Sequence, residues 1–207
     1  MIRVDDHPLL ALGSFTATFA TPLGELESPD WLDALCRLGA STGLEAFSPE
    51  LKANVRDLLR ASGFKPNGRN KPCNEYMQSA AAKGRFPRIN AAVDLCNAAV
   101  LHGGLPISHV DLDRLQAPLS VRIAEEGKFA FNASGQLLDA RGLLCLHDAQ
   151  GPCADAVKDA HRAKTHAQTT RTLSVVWAPR TELARRDALL TWYMERSQAL
   201  GAEVQTL

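Results

Sequence analysis

The stretch Gly84–Leu115 reads GRFPRINAAVDLCNAAVLHGGLPISHVDLDRL, and the fold class turns on it. Its first part has helical spacing. Ile89 to Leu101 sets Val93, Cys96, Asn97 and Val100 near one face, and Asn90 after Pro87 is a cap candidate. Gly103-Gly104 ends that helix. From Leu105 to Val110 the period changes from helix to strand. Helical signals lie before this switch and strand signals after it.

Upstream, residues 9–20 are apolar and β-branched and read as a strand or strand pair. Ser28-Pro29 and Ser48-Pro49 each pair a cap residue with proline at the first helical position. The second opens an amphipathic helix with Leu51, Val55, Leu58 and Leu59 on one side, ending near Gly63. Residues 64–71 form a turn-rich basic loop, and Pro72 to Lys83 another helix. Downstream, strands are expected at 119–124, 128–132, 143–147 and 172–178, with gaps at Pro118, Gly127, Gly135, Gly142 and Gly151-Pro152. A helix over Thr181 to Leu200 closes the chain. Helices first and strands later imply α+β in a single domain over 1–207.

Composition sets bounds. The chain has 207 residues, 45% hydrophobic and 22% charged, as in ordinary globular proteins. No apolar run reaches the roughly 18 residues of a spanning helix. Asp5, Asp6 and Pro8 break any export-signal pattern, so a cytoplasmic location is expected. Cys36, Cys73, Cys96, Cys145 and Cys153 are odd in number and form no C-x-x-C pair, which argues for reduced, buried thiols. The histidines show no metal-ligand spacing, and no phosphate loop, dinucleotide fingerprint or G-x-S-x-G elbow occurs. No metal and no cofactor are expected.

The net charge of zero hides an asymmetry. Between Lys52 and Arg88 nine bases face only Asp57 and Glu75, a surplus of seven. Lys158, Arg162, Lys164 and Arg171 face Asp159 alone in a second basic segment. Such patches can track a phosphate backbone or be solvated helix faces.

Asn90, Asp94 and Asn97 fall at i, i+4 and i+7, so they share a helix face. They could bind a ribose or an α-amino group, or cap and brace neighbouring strands.

The ordered series Ile89-Asn90, Val93-Asp94, Asn97, Leu105-Pro106 and Asp111-Leu112-Asp113 resembles the B3/B4 domain of the phenylalanyl-tRNA synthetase beta subunit and its free-standing relatives. Lys158-Asp159-Ala160-His161-Arg162 and Thr169-Thr170-Arg171-Thr172-Leu173 resemble two later boxes of the free-standing members. The resemblance covers about residues 70 to 180, leaving 181–207 as a C-terminal helix. It implies helices packed on a mostly antiparallel sheet, and a pocket for the aminoacylated 3′ end of tRNA that hydrolyses a misplaced amino-acid ester without a metal. On that basis His109, Asp159 and His161 are the catalytic candidates. Asn90, Asp94, Asn97, Ser108, Lys158 and Arg162 are candidates for substrate binding, and Arg69, Lys71, Arg85 and Arg88 for tRNA.

The chain departs from the synthetase twice. Ser108 falls where the synthetase has a histidine after Gln-Pro, with His109 beside it on the opposite strand face. The later loop has no glutamate, and Arg162 there could hold a ligand or form an internal ion pair. Two other readings stay open: a non-catalytic module binding tRNA or an amino acid, and a hydrolase of an unrelated small amide or ester.

Overall fold

A computed structural model describes residues 2–207. Its order is β1 (Ile2–Val4), β2 (Leu10–Phe19), α1 (Asp30–Leu35), α2 (Pro49–Arg60), α3 (Cys73–Ala82), α4 (Ala91–Gly103), β3 (Ile107–Asp111), β4 (Leu119–Ile123), β5 (Lys128–Ala130), β6 (Leu137–Asp139), β7 (Leu144–Asp148), β8 (Gly151–Asp155), β9 (Arg171–Pro179), α5 (Leu183–Ala199) and β10 (Ala202–Thr206). The class is α+β, as the helix-to-strand switch implies.

The strands form two four-stranded sheets, ordered β10-β2-β9-β3 and β1-β4-β7-β8, and a small β5-β6 ribbon. Every pairing is antiparallel except β1 with β4. The first sheet is the middle of three layers, and its pleat divides the core in two. Along β9, Leu173, Val175 and Trp177 face the second sheet, while Val176 and Ala178 face the helices. Phe15, Ala17 and Phe19 of β2 join the helix-side core.

α4 is the central helix. Apolar nearly all round, it is buried against α1, α3, α5 and β3. Asn90 caps it, its side chain accepting from Val93 N at 3.0 Å. Gly104 ends it in the left-handed region at φ 73°, its N–H donating to Val100 O. Ser48 caps α2 in the same way, accepting from Leu51 N at 3.1 Å.

Several expectations need correction. Ser28 does not cap α1: Pro29 holds that position without a side-chain bond, and the Ser28 hydroxyl accepts instead from Arg88 at 3.2 Å. Gly151-Pro152 is no gap but the start of β8, where a register shift opposite Leu146 and His147 accommodates the two turn-prone residues. The C-terminal helix stops at Ala199, and β10 then pairs with β2. β1 and β6, three residues each, carry too little pattern to be expected.

Candidate active site

β3 is an edge strand of the middle sheet, and its alternation sorts the two residues after Leu105-Pro106-Ile107. His109 lies with Ile107 on the helix side. Ser108 is fully buried on the other side, its hydroxyl donating to Asp155 O and accepting from Trp177 Nε1, both at 3.0 Å. The hydroxyl ties the two sheets together and does not reach the cavity, which corrects its expected role in substrate binding.

Antiparallel register puts Ser174 of β9 opposite His109. Tyr193 comes over the pair from α5. His109 Nδ1 is 3.0 Å from Ser174 Oγ and 3.2 Å from Tyr193 Oη, and Ser174 donates to Tyr193 at 3.3 Å. Tyr193 is itself braced edge-on by Phe15, with ring centroids 4.9 Å apart. The imidazole orientation is thus fixed from behind.

The turn after β8 supplies the second group. Asp155 Oδ1 accepts from Val157 N at 2.7 Å and Lys158 N at 2.9 Å, folding the chain back towards β3. Asp159 Oδ2 then accepts from His109 N at 3.3 Å. Asp159 Oδ1 and His109 Nε2 are buried with no partner among the described residues, as is Thr172 Oγ1 elsewhere.

Both side chains line a cavity of about 340 Å³ between α3, α4 and β3. Val93, Cys96, Asn97 and Val100 form its α4 wall, Met77 and Tyr76 its α3 wall. Tyr76, Cys73, Val157, Lys158 and Lys164 are shared with a second cavity of about 750 Å³, which Lys52, Arg69 and Lys71 make basic. The two are therefore lobes of one depression. Glu75 is the acid in the basic lobe, and Arg56 engages it through two hydrogen bonds. Lys158 lies 3.8 Å from the centroid of the Phe131 ring at the junction.

Burial sets the electrostatics. It pushes the Asp159 carboxyl up to about 6, against which the nearby Ser108 hydroxyl, the His109 N–H bond and Lys164 work. It lowers His109 to about 4, so the imidazole is neutral near pH 7. Asp155 is raised to about 7, again chiefly by desolvation. Burial pushes the Cys73 thiol up to about 12 and raises Cys96 as well, so neither wall cysteine is an activated nucleophile.

The expected residues therefore separate. His109, Asp159, Lys158 and Asn97 meet in the inner lobe, and Arg69 and Lys71 in the outer one. Asn90 is occupied as a helix cap. Asp94 is 2% exposed and accepts from Ile89 N at 2.7 Å and Arg88 Nε at 2.6 Å. Arg88 also bonds Asp33, so this network pins α1 to the start of α4 and leaves neither partner in the cavity. Arg162 is bidentate on buried Asp148, 2.7 Å in each contact: the internal pair, not a ligand site. His161 is exposed on a one-turn 3-10 helix and Arg85 is exposed on the loop before α4, both outside the two lobes.

Sequence reasoning missed Ser174 and Tyr193, which hold the histidine, and Tyr76; Lys52 and Lys164 were legible only as members of the basic segments. Ser174 is legible only once the β3–β9 register is known. Among the described residues no three His, Cys, Asp or Glu side chains gather as a metal site, and no helix is long and apolar enough to cross a membrane.

Residues 61–188, which contain the inner lobe and all of the outer lobe but Lys52, match the B3/4 domain family model, and the chain belongs to that family. The resemblance carried by residues 70–180 is borne out at that level. No curated protein matches the chain. Among solved structures, an N-terminal fragment of the phenylalanyl-tRNA synthetase beta-subunit from Pyrococcus horikoshii is similar at 14% identity, with a TM-score of 0.43, over 57% of this chain and 43% of that one. This chain thus spans less than half of that fragment.

Proposed function

We propose that the protein hydrolyses the aminoacyl ester at the 3′ end of tRNA, removing a wrongly attached amino acid in trans. The observation that carries this reading is that Asp159 and His109, each with one buried polar atom left unpartnered, line a cavity that shares residues with a basic lobe. B3/4 family membership and the resemblance to synthetase editing domains supply the substrate class. A substrate of this kind is met in the cytoplasm.

The chemistry is modest because an aminoacyl ester is already activated. Asp159, ionised above about pH 6, accepts a proton from a water held at Oδ1. The water oxygen attacks the ester carbonyl carbon. In the tautomer with its proton on Nε2, Nδ1 accepts from the Tyr193 hydroxyl and the neutral imidazole can donate to the carbonyl oxygen. Lys164 and Lys158, at the junction, favour the developing negative charge. When the carbon–oxygen bond to the ribose breaks, the proton on Asp159 passes to the leaving ribose oxygen. The products are the free amino acid and intact tRNA. Arg69 and Lys71 meet the phosphates of the 3′ strand, with Lys52 paired to Glu75 at 3.5 Å behind them, and Tyr76, 62% exposed at the junction, offers a face for the terminal base.

Single-turnover deacylation of misacylated tRNA tests this. Asp159→Ala is expected to lower the rate by at least about 100-fold and His109→Ala by about 10- to 100-fold. Turnover at wild-type rates in both variants would remove the assignment. Salt-sensitive tRNA binding with no hydrolysis by the wild type would leave a binding module.

A further inference from the structure

Lys158 stands where the two lobes meet, and it is held at both ends. Its backbone N–H donates to Asp155 Oδ1 at 2.9 Å in the turn after β8. Its ammonium lies 3.8 Å from the centroid of the Phe131 ring. Phe131 directly follows β5 and lines the outer lobe, so this contact is what the small β5-β6 ribbon adds to the depression. An ammonium fixed in this way has little freedom left to lose when it meets a ligand.

Two further cations come to the same place. Lys164 lines both lobes with Lys158, and Arg69 lines the outer one. Among the described residues none of the three is within ion-pair distance of a carboxylate. Glu75, the acid of the outer lobe, is already held by Arg56 and Lys52. Burial lowers the Lys158 ammonium, and Arg69 and Lys164 lower it further, against the pull of Asp155. Like charges gathered without a counter-ion repel one another, and a bound anion relieves that repulsion. A phosphate group suits two ammonium groups and a guanidinium, because several of its oxygens accept charge-assisted hydrogen bonds at once.

The same two lysines line the inner lobe beside Asp159 and His109. In a nucleotide acylated on its ribose, the group across the sugar from the ester is the 5′-phosphate. We propose that Lys158, Lys164 and Arg69 form a phosphate site at the junction of the lobes, and that its ligand is the 5′-phosphate of the nucleotide that carries the amino acid. This rests on the aminoacyl-ester reading for the identity of the ligand. Of the phosphates of the 3′ strand, it singles out the last. Three cations outnumber the single charge of a phosphodiester, so a positive surplus remains for the charge that develops on the ester.

The test is calorimetric binding of stable 3′-aminoacylamido-adenosines, each made with and without a 5′-monophosphate. Alanyl, leucyl and tyrosyl analogues are used, so that no one side chain decides the outcome. The wild type is expected to bind the phosphorylated member at least about tenfold tighter in every pair that binds, with the ratio falling as salt is raised. In Lys158→Met the ratio falls to within about twofold. In Arg85→Gln, exposed and outside both lobes, it keeps the wild-type value. Equal affinities within the pairs, a phosphate gain unchanged in Lys158→Met, an equal loss in Arg85→Gln, or no binding of any analogue overturns the proposal. The wild-type ratios alone decide the matter if a variant folds poorly. Phosphate-dependent binding with no ester hydrolysis would remove the hydrolase reading and leave the site standing. Hydrolysis of aminoacyl-tRNA with no phosphate gain in any pair would remove the site and leave the hydrolase reading.

Discussion

Asp159 has an exceptional environment: one carboxylate oxygen is bonded to a backbone N–H, and the other is buried without a partner. Its folded value of about 6 lies above the ordinary 3.8, so the proton is held more tightly in the folded state. Stability from this group is therefore present below pH 3.8 and is lost as pH rises through about 6. Asp159→Asn is expected to raise stability at pH 8 by about 1 kcal/mol, the order of relief for a buried unsatisfied acceptor, with a smaller gain at pH 5. Thermal melts at the two pH values check this. The same ionisation governs catalysis in the proposed reaction. The rate, corrected for spontaneous hydrolysis, is expected to rise about tenfold per pH unit below 6 and to level off above about 7. His109 is neutral above about 4, so His109→Gln lowers the rate but keeps that limb. A limb that disappears with His109 would give the titration to the imidazole.

At the scale of elements, sequence and structure agree at two of the three local cap signals, Ser28 being the exception. Ser48 and Asn90 cap helices a few residues away, and both were legible for that reason. β10 and β8 were not, because their pairing depends on partners far along the chain. The same holds for the candidate site: Asp159 and His109 were singled out through a family resemblance, while Ser174 and Tyr193 needed the β3–β9 register and the docking of α5. Arg162 and Asp148 link the turn after β8 to β7. Arg162→Ala leaves a buried carboxylate unpaired and is expected to cost about 3 kcal/mol in denaturant unfolding. α5 meets α4 at Gly103, where an added Cβ would lie 2.5 Å from Leu189 Cδ1. Gly103→Ala is expected to destabilise by about 1–3 kcal/mol, and pairing it with Leu189→Ala should cost less than the two single effects added, a coupling read from a double-mutant cycle.

For the whole molecule, a formal charge of zero gives no hint of where the basic residues gather. The fold divides the basic segment between Lys52 and Arg88. Arg56 is taken by Glu75 and Arg88 by Asp33 and Asp94, whereas Arg69 and Lys71 line the outer lobe. Arg69→Glu and Lys71→Glu are therefore expected to weaken tRNA binding by about tenfold each and to flatten its salt dependence by about one counter-ion apiece. Arg85→Glu, outside the lobes, should change both little; filter binding across salt concentrations separates these outcomes.

The central claim is that the two lobes act as one site for an aminoacylated 3′ end. The most direct measurement is ester loss from a panel of correctly and incorrectly acylated tRNAs, with wild type, Asp159→Ala and a no-protein control side by side. Selective loss of a misacylated species by the wild type, falling to the control rate in Asp159→Ala, is the predicted result. No loss above the control from any member of the panel would contradict it.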